Sequence, residues 1–273
     1  GTKVASFSGQ SPQNLDGRQM YYGIREHGMG SAMVGMALHG GVLPVGGTFF
    51  VFVDYMRPPV RLAALSGARV VFVFTHDSVA VGEDGPTHQP VEQLAGLRAM
   101  PDLHVLRPAD ANETSRAWED AVTHNGPTAM VLSRQDVRVV TDGSAITAGA
   151  GVVGDDTSNP DVILIGTGSE VSLCVDAADT LRASGKSVRV VSMPSWDRFR
   201  SQTVTVRNSI LTPGVPTVSV EAGSTFGWHE WSDRQVGIDR FGASAPGDIA
   251  LDRLGINVDA IIAKVDEMFG GGS

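Results

Sequence analysis

The chain carries one cysteine, Cys174, in 273 residues, so it cannot close an internal disulfide and suits a reducing compartment. It lacks an apolar run approaching the ~20 residues that a membrane-spanning helix needs, and no leader-like segment is visible. Basic residues are outnumbered by acidic ones, 21 to 30, and a net charge of −9 excludes a general binder of nucleic-acid phosphates. Internal repeats and low-complexity runs are missing as well. With 42% hydrophobic residues, the chain reads as a cytoplasmic-type protein of two domains, or one large one, with a real core. It opens Gly1-Thr2-Lys3 without a methionine, from which we expect that a preceding segment was removed or lies on another chain. The closing Gly270-Gly271-Gly272-Ser273 reads as a flexible end.

Strand-like and helix-like segments alternate along the chain. Helical spacing of Met29, Met33, Met36 and Ala37 predicts a helix from Arg25 to His39, stopped at Gly40-Gly41. Leu43 to Val45 reads as a short strand closed by Gly46-Gly47. Thr48 can then cap a helix to Leu65 that Pro58-Pro59 should kink or interrupt. The uncharged run Val70 to Thr75 predicts a buried strand ending at His76. A helix near 90–99, a strand at His104 to Leu106, a helix from Ala109 to His124 and a strand at Ala129 to Leu132 complete this half. Residues 136–160 are weakly patterned and mark the domain boundary. A second unit follows, with strands at Asp161 to Gly166, Ser187 to Ser192 and Thr217 to Val220, and a helix from Gly168 to Ser184. The alternation predicts two consecutive α/β domains with parallel sheets.

In such sheets ligands bind beyond the carboxyl ends of the strands. The loop Gly82-Glu83-Asp84-Gly85-Pro86-Thr87-His88-Gln89-Pro90 follows the strand at 70–75 and holds titratable groups fixed by Gly and Pro, so it is a site candidate. Other pieces are ambiguous alone. Glu26 at a helix start suits dipole complementarity, and Phe49 and Phe52, three residues apart, suit a core stripe. The Gly166-Thr167-Gly168 turn could cradle a phosphate, but such glycine pairs more often make only a tight turn.

Taken together, the segments have a family likeness. Gly23-Ile24-Arg25-Glu26-His27-Gly28-Met29, Gly46-Gly47-Thr48-Phe49 and the loop from Gly82 to Pro90 resemble transketolase. So do Arg107-Pro108-Ala109-Asp110, Ser133-Arg134-Gln135, Thr167-Gly168-Ser169-Glu170-Val171 and Gly237-Ile238-Asp239-Arg240-Phe241-Gly242. The resemblance runs from about Gly17 to the C-terminal helix in the family's order. Deoxyxylulose-phosphate synthases and the beta subunits of 2-oxoacid dehydrogenases share the glutamate but not the 82–90 loop or the 237–244 segment.

The resemblance implies a thiamine-diphosphate enzyme that moves a two-carbon ketol unit between sugar phosphates in the pentose phosphate pathway. Glu26 matches the glutamate that hydrogen-bonds the cofactor's aminopyrimidine ring, and Phe49, Phe52 and Tyr55 match the wall of that pocket. His76 and Arg134 match the phosphate grip, Asp84 a substrate-hydroxyl acceptor, and His88 a group near the reactive carbon that can hold or relay a proton. His27 is expected to be structural, and Gly28, where relatives often carry alanine, a harmless departure. By the same likeness, residues 1–140 are an incomplete pyrimidine-binding domain, 141–160 a linker and 161–273 the C-terminal domain. No metal ligand is assigned to this chain. Mg²⁺ ligands are expected on a diphosphate-binding part that has no counterpart here, so the implied partner is that part, as a domain or a subunit, in a homodimer or heterotetramer. Without it the chain is expected to be inactive. The alternatives are a dihydroxyacetone synthase-like enzyme and a non-catalytic assembly subunit of the same fold.

Overall fold

The computed structural model describes residues 4–155 and 157–270 and contains two parallel-sheet α/β units. The first runs α1 (Glu26–His39), β1 (Val45–Phe49), α2 (Val53–Ser66), β2 (Val71–Thr75), α3 (Gln93–Arg98), β3 (His104–Leu106), α4 (Ala111–Thr123) and β4 (Thr128–Leu132). Its sheet has the order β1-β2-β4-β3, parallel throughout. The second runs α5 (Ala145–Ala148), β5 (Gly151–Val152), β6 (Val162–Gly166), α6 (Glu170–Ala183), β7 (Val188–Ser192), α7 (Trp196–Arg200), α8 (Val204–Ile210), β8 (Thr217–Val220), β9 (Arg234–Val236), α9 (Gly247–Arg253) and α10 (Val258–Met268). The order of its sheet is β5-β7-β6-β8-β9, with only β5 antiparallel.

Local chemistry accounts for most of these elements. Strand β2 is covered on both faces, which is why it reads as an unbroken apolar run rather than an alternating one. Asp110 caps α4 by accepting from the Asn112 and Glu113 amides. Gly67 ends α2 in the left-handed conformation, where a side chain would be strained.

Three expectations fail around β1 and α2. Gly46 and Gly47 do not close the strand but lie inside it, because a Cβ at Gly46 would collide with the Met33 sulfur of α1. Thr48 is paired in β1 opposite Phe74 and caps nothing; a 3-10 turn over Phe50–Phe52 intervenes before α2. Pro58 and Pro59 do not interrupt α2. They remove two helical hydrogen bonds, but Pro59 packs on Gly30 of α1, and Val53, Met56, Val60, Ala63 and Ala64 bury the same face. Tertiary packing overrides the local penalty. The stretch expected as a linker, 141–160, holds α5 and β5, and β5 pairs with β7 of the second sheet. Short strand β9 had too little apolar signal to be read from sequence.

The two units are fastened by buried charge. Arg98 of α3 donates from both terminal nitrogens to Glu221 at 2.8 and 2.7 Å and lies 4.0 Å from the ring centroid of Trp196. His104 of β3 has both ring nitrogens on carboxylates, Asp120 at 2.8 Å and Asp197 of the second unit at 2.6 Å. Two acceptors on one imidazole require both nitrogens to carry protons. Burial alone would lower the pKa of His104, but the bonds to Asp120 and Asp197 outweigh it and the net shift is upward from 6.5. Burial likewise raises Asp120 and Asp197, and the His104 bonds bring both below 3.8. A raised histidine stabilises the fold below its unfolded pKa, and that contribution is lost as pH rises through the folded value. His104→Gln is therefore expected to lower the melting temperature most between about pH 4 and 6.5, with the gap to the unsubstituted chain shrinking at higher pH. A gap independent of pH in melting curves would show that His104 is not held as the cation.

Candidate active site

The strand registers decide which side chains meet. Phe49 lies opposite Thr75, and Thr75 opposite Leu132, so β1, β2 and β4 end level with one another. Phe49, the residue after Thr75 (His76) and the second after Leu132 (Arg134) thus emerge together at the carboxyl edge of the sheet. The His76 and Phe49 rings stack with centroids 3.7 Å apart. Phe52 lies nearly parallel to Phe49, at 6.2 Å and 7°, and its other neighbours are Tyr55 at 6.1 Å and the His88 ring, edge-on, at 5.4 Å. Five of the residues named from sequence therefore form one aromatic group. Tyr55 stays 65% exposed, so this group is a wall facing outward and not a core stripe.

His76 is held in a left-handed backbone, φ 63°, that few non-glycine residues adopt. Its Nδ1 lies 3.0 Å from Thr75 Oγ1. Burial, and after it the Arg134 charge, holds its imidazole below 6.5 against the opposing pull of Asp84 and Asp77. Arg134 and Asp84 are thus close enough to act electrostatically on His76, and both are exposed. The His88 Nδ1 pairs with Thr87 Oγ1 at 2.9 Å.

Glu26 begins α1, and the helix runs back along β1 with Met29 and Met33 against Gly46. One turn before Met29, Glu26 lies toward the Phe49 end of that strand. The residue is half-buried, and its carboxylate has no hydrogen-bond partner among the described residues. It is not sealed from water within this chain.

Sequence reasoning missed the residues that hold the loop. Gln89, 2% exposed, donates from Nε2 to Val79 O, Gly82 O and, from the second unit, Ala243 O at 3.0 Å. Ser244 donates to the Glu83 carbonyl, and Gly247 lies against the Ala80 carbonyl, where a Cβ would approach to 2.5 Å. The 242–247 segment therefore clamps the loop that carries Asp84 and His88. Only the likeness of the 237–244 segment hinted at its importance; its partner across more than 150 residues was not legible.

The turn at Gly166-Thr167-Gly168 holds a side chain of the protein itself. Arg107 donates to the Thr167 carbonyl at 2.9 Å, and a Cβ on Gly168 would meet its guanidinium at 2.5 Å. A cleft of about 560 Å³ opens at the amino-terminal ends of β3 and β4, but its cationic groups Arg98, His104 and Arg200 are already paired, with Glu221, Asp197 and Glu230. The carboxyl edge is where unpartnered chemistry collects.

Comparison with known proteins agrees with this fold. The family model described as transketolase, pyrimidine binding domain, matches residues 1–140, and that of the transketolase-like TK C-terminal domain matches 149–257. The transketolase of Nostoc sp. is 50% identical over 92% of this chain and 39% of its own length. The structure of transketolase from Leishmania mexicana superimposes with a TM-score of 0.93 at 44% identity, over 96% of this chain and 39% of that one. A split gene transketolase, described as an inactive beta4 tetramer, shares the fold at TM-score 0.76 and 24% identity, over 90% of this chain and 82% of its own. The fold is that of paired transketolase-type α/β domains. The chain belongs to the transketolase family, and it spans about two fifths of the length of the curated relatives it matches.

Proposed function

We propose that this chain is the pyrimidine-side and substrate-side half of a thiamine-diphosphate-dependent transketolase, transferring a two-carbon ketol unit between sugar phosphates. The observation that supports it most is the level ending of β1, β2 and β4, which sets Phe49, His76 and Arg134 side by side. The parallel rings of Phe49 and Phe52 and the unpartnered Glu26 carboxylate on the same edge fit a flat, nitrogen-bearing aromatic ring. Bound thiamine diphosphate supplies a nucleophilic carbon and an electron sink.

The chain's own residues then have distinct tasks. Glu26 shares a proton with a ring nitrogen of the aminopyrimidine, while Phe49, Phe52 and Tyr55 orient that ring and exclude water from one face. His88 holds or moves the proton at the substrate's carbonyl oxygen. Asp84 accepts from a substrate hydroxyl, which leaves wrong isomers with an unpaired group. The His76 imidazole and the Arg134 fork take the sugar phosphate.

The diphosphate and its Mg²⁺ need a further part, a domain of the same polypeptide or a separate subunit, in a homodimer or heterotetramer. The covered share of the relatives and the likeness to a split gene transketolase support this arrangement. We assign residues 1–140 to the pyrimidine-binding domain and 161–273 to the C-terminal domain, and place the protein in the cytoplasm. Among the described residues no helix is long and apolar enough to cross a membrane. The test is to mix the chain with a separately produced diphosphate-binding domain of a relative. Ketol transfer is expected from the mixture only, and only with thiamine diphosphate and Mg²⁺. Activity of the chain alone, or none from a mixture shown to associate, would overturn the proposal.

A further inference from the structure

His76 and Arg134 leave different strands, yet the residue following each is tied to the same buried carboxylate. After His76 comes Asp77, whose Oδ2 accepts from Arg107 Nε at 2.9 Å and is ion-paired with Nη2 at 2.8 Å. Arg107 Nη1 in turn donates to Glu170 Oε2 at 2.5 Å. After Arg134 comes Gln135, whose Nε2 donates to Ser169 Oγ at 3.1 Å, and that hydroxyl donates to Glu170 Oε1 at 2.7 Å. Glu170 therefore spends one oxygen on the His76 arm and the other on the Arg134 arm. It is 1% exposed and anchored by the Ala222 amide at 3.0 Å.

We propose that Glu170, in the second unit and remote from any substrate, is a positioning residue that sets the spacing of His76 and Arg134 for a sugar phosphate. This rests on the reading that those two residues take the phosphate. The physical case is the stiffness of the link. Every bond in the His76 arm is charge-assisted and buried, so each is short and strong. The left-handed backbone at His76 persists only where its surroundings enforce it, and Asp77 is the adjacent anchor. Glu221 lies 3.9 Å from Arg107 but is committed to Arg98 and to the Trp228 indole, so it does not substitute for Glu170. A ring N–H and a guanidinium grip one phosphate only at the right separation, and a small misplacement of either is felt in binding.

The test uses the assembled enzyme with a phosphorylated ketose and its unphosphorylated counterpart. For Glu170→Gln, kcat/KM on the phosphorylated ketose is expected to fall about tenfold through KM, with kcat and the unphosphorylated substrate nearly unchanged. Ser169→Ala, which cuts the Arg134 arm alone and removes a half-buried hydroxyl, is expected to cost about threefold in the same pattern. Equal losses on both substrates would mean a purely structural role and overturn the proposal, as would no loss on either. Should Glu170→Gln fail to fold, Ser169→Ala and Gln135→Ala decide by the same pattern. His76→Ala and Arg134→Ala in the same assay test the underlying reading. If they erase the preference for phosphate while the Glu170 and Ser169 variants keep it, positioning fails alone. If they too leave it intact, the phosphate assignment fails.

Discussion

Glu26→Ala, in the chain assembled with a diphosphate-binding part, is expected to lower ketol transfer by about 10³-fold, in the range seen when a proton-transfer group is removed. The folding of the chain should hardly change, since Glu26 is half-buried and its carboxylate has no partner among the described residues. This separation of effects is what makes the variant informative. A core residue that lost a side chain would lower stability and activity together; Glu26 stabilises no other group here, so its loss should appear in turnover and leave the melting temperature in place. Only its contribution as a first-turn acid at the helix start is forfeited, worth a few tenths of a kcal/mol up to about 1. The measurement is turnover at saturating substrate beside a thermal melt. Near-normal turnover would remove Glu26 from the chemistry and leave helix-dipole complementarity as its whole role.

Arg107→Met should unfold the junction between the units, at a cost of about 3–5 kcal/mol. Arg107 is 1% exposed and is the counter-charge of both Asp77 and Glu170. Burial works against its charge, yet Glu170, Asp77 and Glu221 more than restore it and raise its pKa. Burial also pushes Glu170 up, against the pull of Arg107. Removing the arginine strands two carboxylates where water cannot reach them. Neutralising the carboxylates as well, in the triple variant Arg107→Met, Asp77→Asn and Glu170→Gln, should recover part of the loss, because buried ions cost most when one partner alone is removed. Urea unfolding of the single and triple variants reads both values. An unfolding midpoint unchanged in the single variant would mean that the network contributes no stability.

Much of the fold was legible because it rests on local signals. The strand at His104–Leu106 and the strand at Thr217–Val220 fall where the alternation of strand-like and helix-like segments placed them. Errors came where a neighbour distant in sequence changed the outcome. Met33 needs the space above Gly46, and Gly30 receives Pro59, so glycines and prolines that read as breaks lie inside elements. The site divides in the same way. Phe49, Phe52, Tyr55, His76 and His88 were named from motif order, and the registers of β1, β2 and β4 bring them into one group. Asp77 lay outside every motif, and Gln89 and Glu170 lay inside motifs without a role, since a buried polar residue looks like any other until its partner is known.

The sequence by itself determined two α/β units, their parallel sheets and the residue types offered at the strands' carboxyl ends, because periodicity and turn chemistry act over a few residues. Only the tertiary structure decided that the second unit holds the first unit's site. Arg107, Gln89 and Gln135 find Glu170, Ala243 and Ser169 across dozens of residues or more, and a hydrogen bond forms where the fold brings donor and acceptor together.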